Sequence, residues 1–284
     1  MGGHLHVHEL PDRSGSAPVR KIRVWTPSNY SDTSIRQFPV LYLQDGQNLF
    51  TDPESRSKAK TWRANTTAQR LITAGTIQPL VLVGIDNSGA KRADDYTPVA
   101  WRGEGGGADA YADFLVSRVK PFVDRTYRTR LGPESTALGG SSLGGLLALY
   151  AGLQLPDVFG GILAMSPSVY WGGDHIVSIA EQAWSPSTRI WLDMGMHETP
   201  TMRGGLRKIV AALAHSGWRR DRSPRATLRA TEDPKGHHDE ASWGRRFGRA
   251  LRFLFPAKRS VRAEPVSSDA ARRGRPTRRA PRAP

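Results

Sequence analysis

Residues 137–150, ALGGSSLGGLLALY, set two adjacent serines between pairs of glycines, directly ahead of an unbroken apolar run. A serine hydroxyl is a weak nucleophile and does covalent chemistry only beside a base that takes its proton. In a Gly-x-Ser-x-Gly elbow the serine occupies a strained strand-to-helix turn, and the flanking glycines let strand and helix approach closely. Ser141 has Gly139 and Leu143 at the flanking positions and fails the pattern; Ser142 has Gly140 and Gly144 and fits it. Ser142 is therefore the candidate nucleophile. The amide of Leu143, first in the expected helix, would face a developing oxyanion with the positive end of the helix behind it. A second amide is expected from YLQDGQNLF (42–50), where the Asp45–Gly46 turn presents Gln47. No lysine follows the glycines as in a phosphate-binding loop, which disfavours that reading.

The base must be one of eight histidines. His4, His6 and His8 alternate and fall on one face of a strand, with nothing to close a metal site around them. His175, His197 and His215 stand alone. His237 and His238, in KGHHDEASWGRRF, follow the last expected strand and precede a helix that Asp239 is placed to cap, with Trp243 on its inward face. In the chain order nucleophile, acid, histidine, the base belongs here, although spacing does not separate His237 from His238. The acid belongs between, just past a strand: Asp193 and Glu198 in WLDMGMHE, with Asp233 as a weaker third. Cysteine is absent, so thiolate nucleophiles, thiolate metal sites and disulfides are excluded. The chemistry needs no metal or organic cofactor.

Apolar runs at 20–27, 38–46, 79–86, 135–142, 160–168, 188–195 and 226–233 read as strands, and 62–74, 107–125, 143–153, 203–216 and 240–255 as helices. Strands that are apolar throughout and alternate with helices predict a mostly parallel sheet covered on both faces. The polar motifs QDGQN, DNSG, GGSSLGG, SPSVYW, DMGMHE and EDPKGHHDE all fall at strand ends, where ligands gather in such sheets. The 284-residue chain has a net charge of +15. Residues 257–284 carry +7 of it in a stretch of Arg, Pro, Ala and Ser with almost no large apolar side chain, expected to be a disordered tail. Such a tail could bind anionic polymers weakly, but nucleic acid is not an expected partner. No run is long enough to span a membrane, and no secretory leader is evident at the N-terminus; a cytoplasmic protein with no membrane partner is expected.

With these residues assembled, the chain resembles the putative-esterase family of α/β hydrolases, which includes enterochelin esterases and bacterial feruloyl esterases, with secreted mycolyltransferases as more distant members. The resemblance runs from about 19 to 256. It rests on the ordered set VLYLQDGQNLF, VGIDNSGAKRADDYTP, TALGGSSLGGLLALY, MSPSVYW, IWLDMGMHE and GHHDEASWGRRFGRALRFLF. It implies one α/β-hydrolase domain over 1–256. It also implies Ser142 as nucleophile, His238 as base, Glu198 as acid, and Gln47 and Leu143 as oxyanion donors. Asp45, Gly46, Tyr96 and Trp171 would border the substrate. The sequence departs from the family at GMHE, where relatives often show GTxE. The implied activity is hydrolysis of a small-molecule carboxylic ester, siderophore esters or small acyl esters, through an acyl-enzyme. An acyltransferase using the same site and a non-catalytic binding protein on this fold are the alternatives. Oligomeric state is not legible.

Overall fold

Five-residue apolar strands cannot stay exposed on either face, and here they assemble into the centre of one large sheet. The computed structural model describes residues 2–11, 19–51, 60–184, 187–220 and 225–257; the basic segment from 258 onward lies outside the described residues. The strands are β1 (His4–Leu10), β2 (Arg20–Thr26), β3 (Val40–Gln44), β4 (Val81–Ile85), β7 (Thr136–Ser141), β8 (Gly161–Met165), β9 (Arg189–Gly195) and β10 (Leu228–Asp233), with a small hairpin, β5 (Ala100–Trp101) and β6 (Glu104–Gly105), set apart. The eight run in the order β1-β2-β4-β3-β7-β8-β9-β10. β4, β3, β7, β8, β9 and β10 run parallel to one another, and β2 pairs antiparallel with both β4 and β1. This is the mostly parallel α/β sheet expected from the sequence. β1 is an added edge strand whose three histidines share a face, with His8 Nε2 bonded to the Tyr127 hydroxyl at 2.7 Å.

The helices are α1 (Ala64–Thr73), α2 (Arg92–Tyr96), α3 (Ala108–Phe114), α4 (Lys120–Thr126), α5 (Leu143–Gln154), α6 (His175–Gln182), α7 (Pro200–His215) and α8 (Glu240–Leu254). A π-helical stretch at Leu115–Val119 joins α3 to α4. α2 and α6 are additions to the helices legible in the sequence, both too short to show a clear apolar period. Alternation along each strand divides the core into two. Val40, Tyr42, Ile162 and Ala164 pack with α5 on one face; Leu41, Leu43, Leu163 and Met165 pack with α1 and α8 on the other. Among the described residues no helix is long and apolar enough to cross a membrane.

Strand order reverses beside β3: the chain leaves it for β4 on one side and later returns as β7 on the other. Loops after β3 and β7 therefore part to opposite sides, which opens a crevice at their carboxyl ends. The helix after β7 packs tightly back onto its strand. A Cβ on Gly140 would lie 2.6 Å from the carbonyl carbon of Gly144, backbone that cannot swing aside. Gly140→Ala should cost about 1–3 kcal/mol through overpacking, read as a lowered urea midpoint. An unchanged midpoint would mean that strand and helix do not meet this closely.

Candidate active site

Ser142 stands between the end of β7 and the first residue of α5 at φ 57°, ψ −122°. This is a conformation that L residues rarely adopt, and it costs on the order of 1–3 kcal/mol. Backbone bonds hold it: the Ser142 amide donates to Met165 O at 3.0 Å, and its carbonyl accepts from the amides of Leu146 (3.0 Å) and Ser168 (3.1 Å). The turn lifts Oγ out of the sheet end, where it meets His238 Nε2 at 2.9 Å. The other ring nitrogen, Nδ1, meets Glu198 Oε2 at 2.8 Å. Of the residues left open by spacing, the structure brings together Ser142, His238 and Glu198. The histidine side chain is 36% exposed and the carboxylate is fully covered.

The other candidates lie elsewhere. The His237 ring stacks on His197 with centroids 4.6 Å apart and planes within 10°, so the histidine beside Glu198 packs against the histidine that does not reach Ser142. Asp233 closes a turn, its carboxylate accepting from the Lys235 amide at 3.1 Å. Asp193 is fully buried, takes Arg246 Nε at 3.0 Å and accepts from Trp191 Nε1 at 2.9 Å. Burial pushes the Asp193 carboxyl above the usual carboxylate range, while Arg246 and Trp191 hold it back.

Behind Glu198 lies a polar network that sequence reasoning missed. Ser166, just past β8, donates to Glu198 Oε1 at 2.5 Å, and the same oxygen accepts from the Gly195 amide at 2.8 Å. The Ser166 oxygen accepts in turn from Trp243 Nε1 (3.0 Å) and Arg246 Nη2 (2.8 Å). Arg246 Nη2 is itself 3.8 Å from Glu198 Oε1. Burial alone would raise the Glu198 pKa, but the hydrogen bonds from His238, Ser166 and Gly195 outweigh it and hold the carboxyl below its ordinary value. The sequence signals for this network were Trp243, expected on the inward face of α8, and an arginine at a helix position that the apolar pattern turns inward. Asp239 caps α8, accepting from the Ser242 amide at 2.7 Å, and so sets the angle at which Trp243 and Arg246 enter.

Across the crevice, the loop after β3 is pinned by α2. Asp45, at φ 59°, takes Arg92 through both oxygens at 2.7 Å and Asn87 Nδ2 at 2.7 Å. Its amide donates to the Tyr96 hydroxyl at 3.2 Å. The two motifs that supply these residues are thus one structural unit. A Cβ on Gly144 would lie 2.9 Å from Gln44 Cβ and 3.3 Å from Asp45 Oδ2, so this loop rests on the start of α5. Gln47 lies in the single helical turn Gly46–Asn48 after β3, and Leu143 is the first residue of α5, where a helix leaves its amides without intrahelical acceptors.

The residues expected to border the substrate differ in their exposure. Tyr96 is wholly buried beneath the loop and its hydroxyl supports Asp45. Gly46 packs on β4, where a Cβ would lie 2.7 Å from Gly84 C. The Asp45 carboxylate is engaged by Arg92 and Asn87. Trp171 is 9% exposed; its Nε1 donates to Val99 O at 2.8 Å and its ring is covered edge-on by Trp101 at 5.4 Å. Trp101, on the β5–β6 hairpin, is the more exposed aromatic of this wall.

Chemically, a hydroxyl, an imidazole and a buried anion in line can move a proton from the hydroxyl and stabilise the cation left behind. The family model described as "Putative esterase" matches residues 18–254. The chain is 29% identical over 208 residues to the uncharacterised protein YbbA of Bacillus subtilis, covering 70% of this chain and 74% of that one. It is 26% identical over 204 residues to the ferri-bacillibactin esterase BesA of the same organism, covering 62% and 67%. Two further relatives are matched over 59% and 55% of their length. The fold is that of the BES protein from Bacillus cereus, with a TM-score of 0.69 at 19% identity over 88% of this chain and 94% of that one.

Two outcomes follow from the network. Arg246 and Asp193 are 3% and 0% exposed, and removing one partner of such a pair costs about 3–5 kcal/mol. Urea unfolding of Arg246→Met should show that loss; a loss under about 1 kcal/mol would mean the pair is dispensable. A carboxylate with a depressed folded pKa stabilises above its unfolded value, and this is lost as the pH falls through the folded value. The Tm gap between wild type and Glu198→Gln should therefore be full near neutral pH and close below pH 4.5, the ordinary value. A gap that widens in acid would contradict the depressed pKa.

Proposed function

The chain belongs to the putative esterase family of carboxylic ester hydrolases, and we propose that it hydrolyses a small-molecule ester through an acyl-enzyme on Ser142. The observation that carries this reading is the unbroken line Glu198–His238–Ser142, with bonds of 2.8 and 2.9 Å. Ser142 Oγ attacks the ester carbonyl as its proton passes to His238 Nε2. Glu198 orients the imidazole through Nδ1 and stabilises its cationic form. The carbonyl oxygen becomes an oxyanion that the Gln47 and Leu143 amides receive, the second at the positive end of α5. His238 then gives its proton to the leaving alkoxide, and water activated by the same histidine releases the acid. The likeness to a ferri-bacillibactin esterase makes siderophore esters the first natural substrates to test.

With p-nitrophenyl esters from acetate to octanoate, Ser142→Ala and His238→Ala should each lose about 10³-fold or more in kcat. Ser141→Ala and His237→Ala should stay within about threefold of wild type. Near-equal loss in both histidine variants would sink the assignment of the base. Wild type labelled at Ser142 by a fluorophosphonate probe without turnover would transfer the reading to an acyltransferase, and no labelling would leave a binding protein.

A further inference from the structure

α1 and α8 run side by side in the same direction on the face of the sheet away from α5. Their contact is close because α8 offers glycines: a Cβ on Gly244 would lie 2.5 Å from Trp62 O, and one on Gly248 3.3 Å from Thr67 Cγ2. The groove between them is a cleft of about 590 Å³. Its walls carry Arg63 and Arg70 from the α1 side and Arg245, Arg249 and Arg252 from α8, all five exposed. Positions 245, 249 and 252 are spaced i, i+4, i+7, which keeps all three guanidinium groups on one face of the helix.

Among the described residues, the only ion pair these arginines make is the long one from Arg245 to Asp233. None of the described residues lining the cleft is a carboxylate. Arg252 donates to Gly248 O at 3.3 Å, and Arg245 to Lys235 O and Ser242 Oγ at 3.0 and 3.1 Å, with Asp233 only at 3.9 Å. Arg63, Arg70 and Arg249 make no ion pair among the described residues. Thr61, Thr66 and Thr67 also line the cleft between the arginines, the Thr61 hydroxyl accepting from the Arg63 amide at 3.3 Å. The lining thus offers N–H and O–H donors and one sign of charge. It has no side-chain amide or carboxylate to read a base edge, and its one aromatic, Trp62, is 3% exposed, so no stacking platform is available. Guanidinium forks and hydroxyls suit the oxygens of successive phosphate groups.

We propose that this cleft is a binding site for a linear oligophosphate, separate from the ester-cleaving site and independent of it. The full-length protein titrated calorimetrically with inorganic tripolyphosphate should bind it in a salt-sensitive manner, and orthophosphate at least about tenfold more weakly. Arg70→Gln/Arg249→Gln takes one cation from each wall and keeps good helix formers. It should weaken tripolyphosphate binding by about tenfold or more while leaving Tm unchanged. Replacing Arg272, Arg273, Arg278 and Arg279 by Gln should leave the binding within about twofold. The proposal is overturned by absent binding, by binding insensitive to the cleft variant, or by binding lost with the four distal arginines instead. It is also overturned if a twelve-residue oligothymidylate binds more tightly than tripolyphosphate with the same dependence on Arg70 and Arg249, since the ligand would then be a nucleic-acid backbone.

Discussion

The turn at Ser142 is the constraint around which the rest is arranged. A non-glycine residue at φ 57° persists only where its surroundings over-determine it, and here they do. β7 is buried along its whole length, α5 is buried from Gly144 to Leu153, and three backbone bonds hold the amide and carbonyl of Ser142. Gly140 and Gly144 contribute by having no side chain where strand and helix meet. The result is a hydroxyl displayed at the sheet end and an amide at Leu143 without an intrahelical acceptor, both dictated by the same few dihedral angles.

Two buried polar assemblies flank that turn and do different work. On one side Asp45, Asn87, Arg92 and Tyr96 tie the loop after β3, which carries Gln47, to α2 and the end of β4. On the other, Arg246 joins Asp193 to Ser166, and Ser166 joins Arg246 and Trp243 to Glu198. Each charge in these sets is hydrogen-bonded, as low-dielectric surroundings require. The second set also explains how Glu198 stays anionic while covered: three donors aimed at its oxygens offset the desolvation.

Much of this was legible in the chain. The GxSxG spacing separates Ser142 from Ser141 without any coordinates, and strand-length apolar runs between helical stretches suffice for the parallel sheet. The edge strand β1 showed only in the alternation of its histidines, and helices α2 and α6 were not visible. One- or two-turn helices carry little periodicity. The burial of Tyr96 and Gly46 was not legible, because a motif places residues along the chain but not above or below a loop. Tyr96 turns inward to meet the Asp45 amide, and Gly46 lies against Gly84 because β3 and β4 are neighbours in the sheet.

By itself, the sequence determined the fold class, the candidate nucleophile and the short list of candidate bases and acids, since these follow from local spacing and chain order. The choice within each list belonged to tertiary structure. His237 and His238 are adjacent, but successive residues leave the backbone in different directions, so one stacks on His197 and the other reaches Ser142. Asp193 and Glu198 both follow from one strand, yet Asp193 lies within β9 and turns into the core to meet Arg246. Glu198 has left the strand, and its loop curls back over the sheet end to His238. Which carboxylate faces which partner depends on residues 40 or more positions away, and no local pattern encodes a contact of that range.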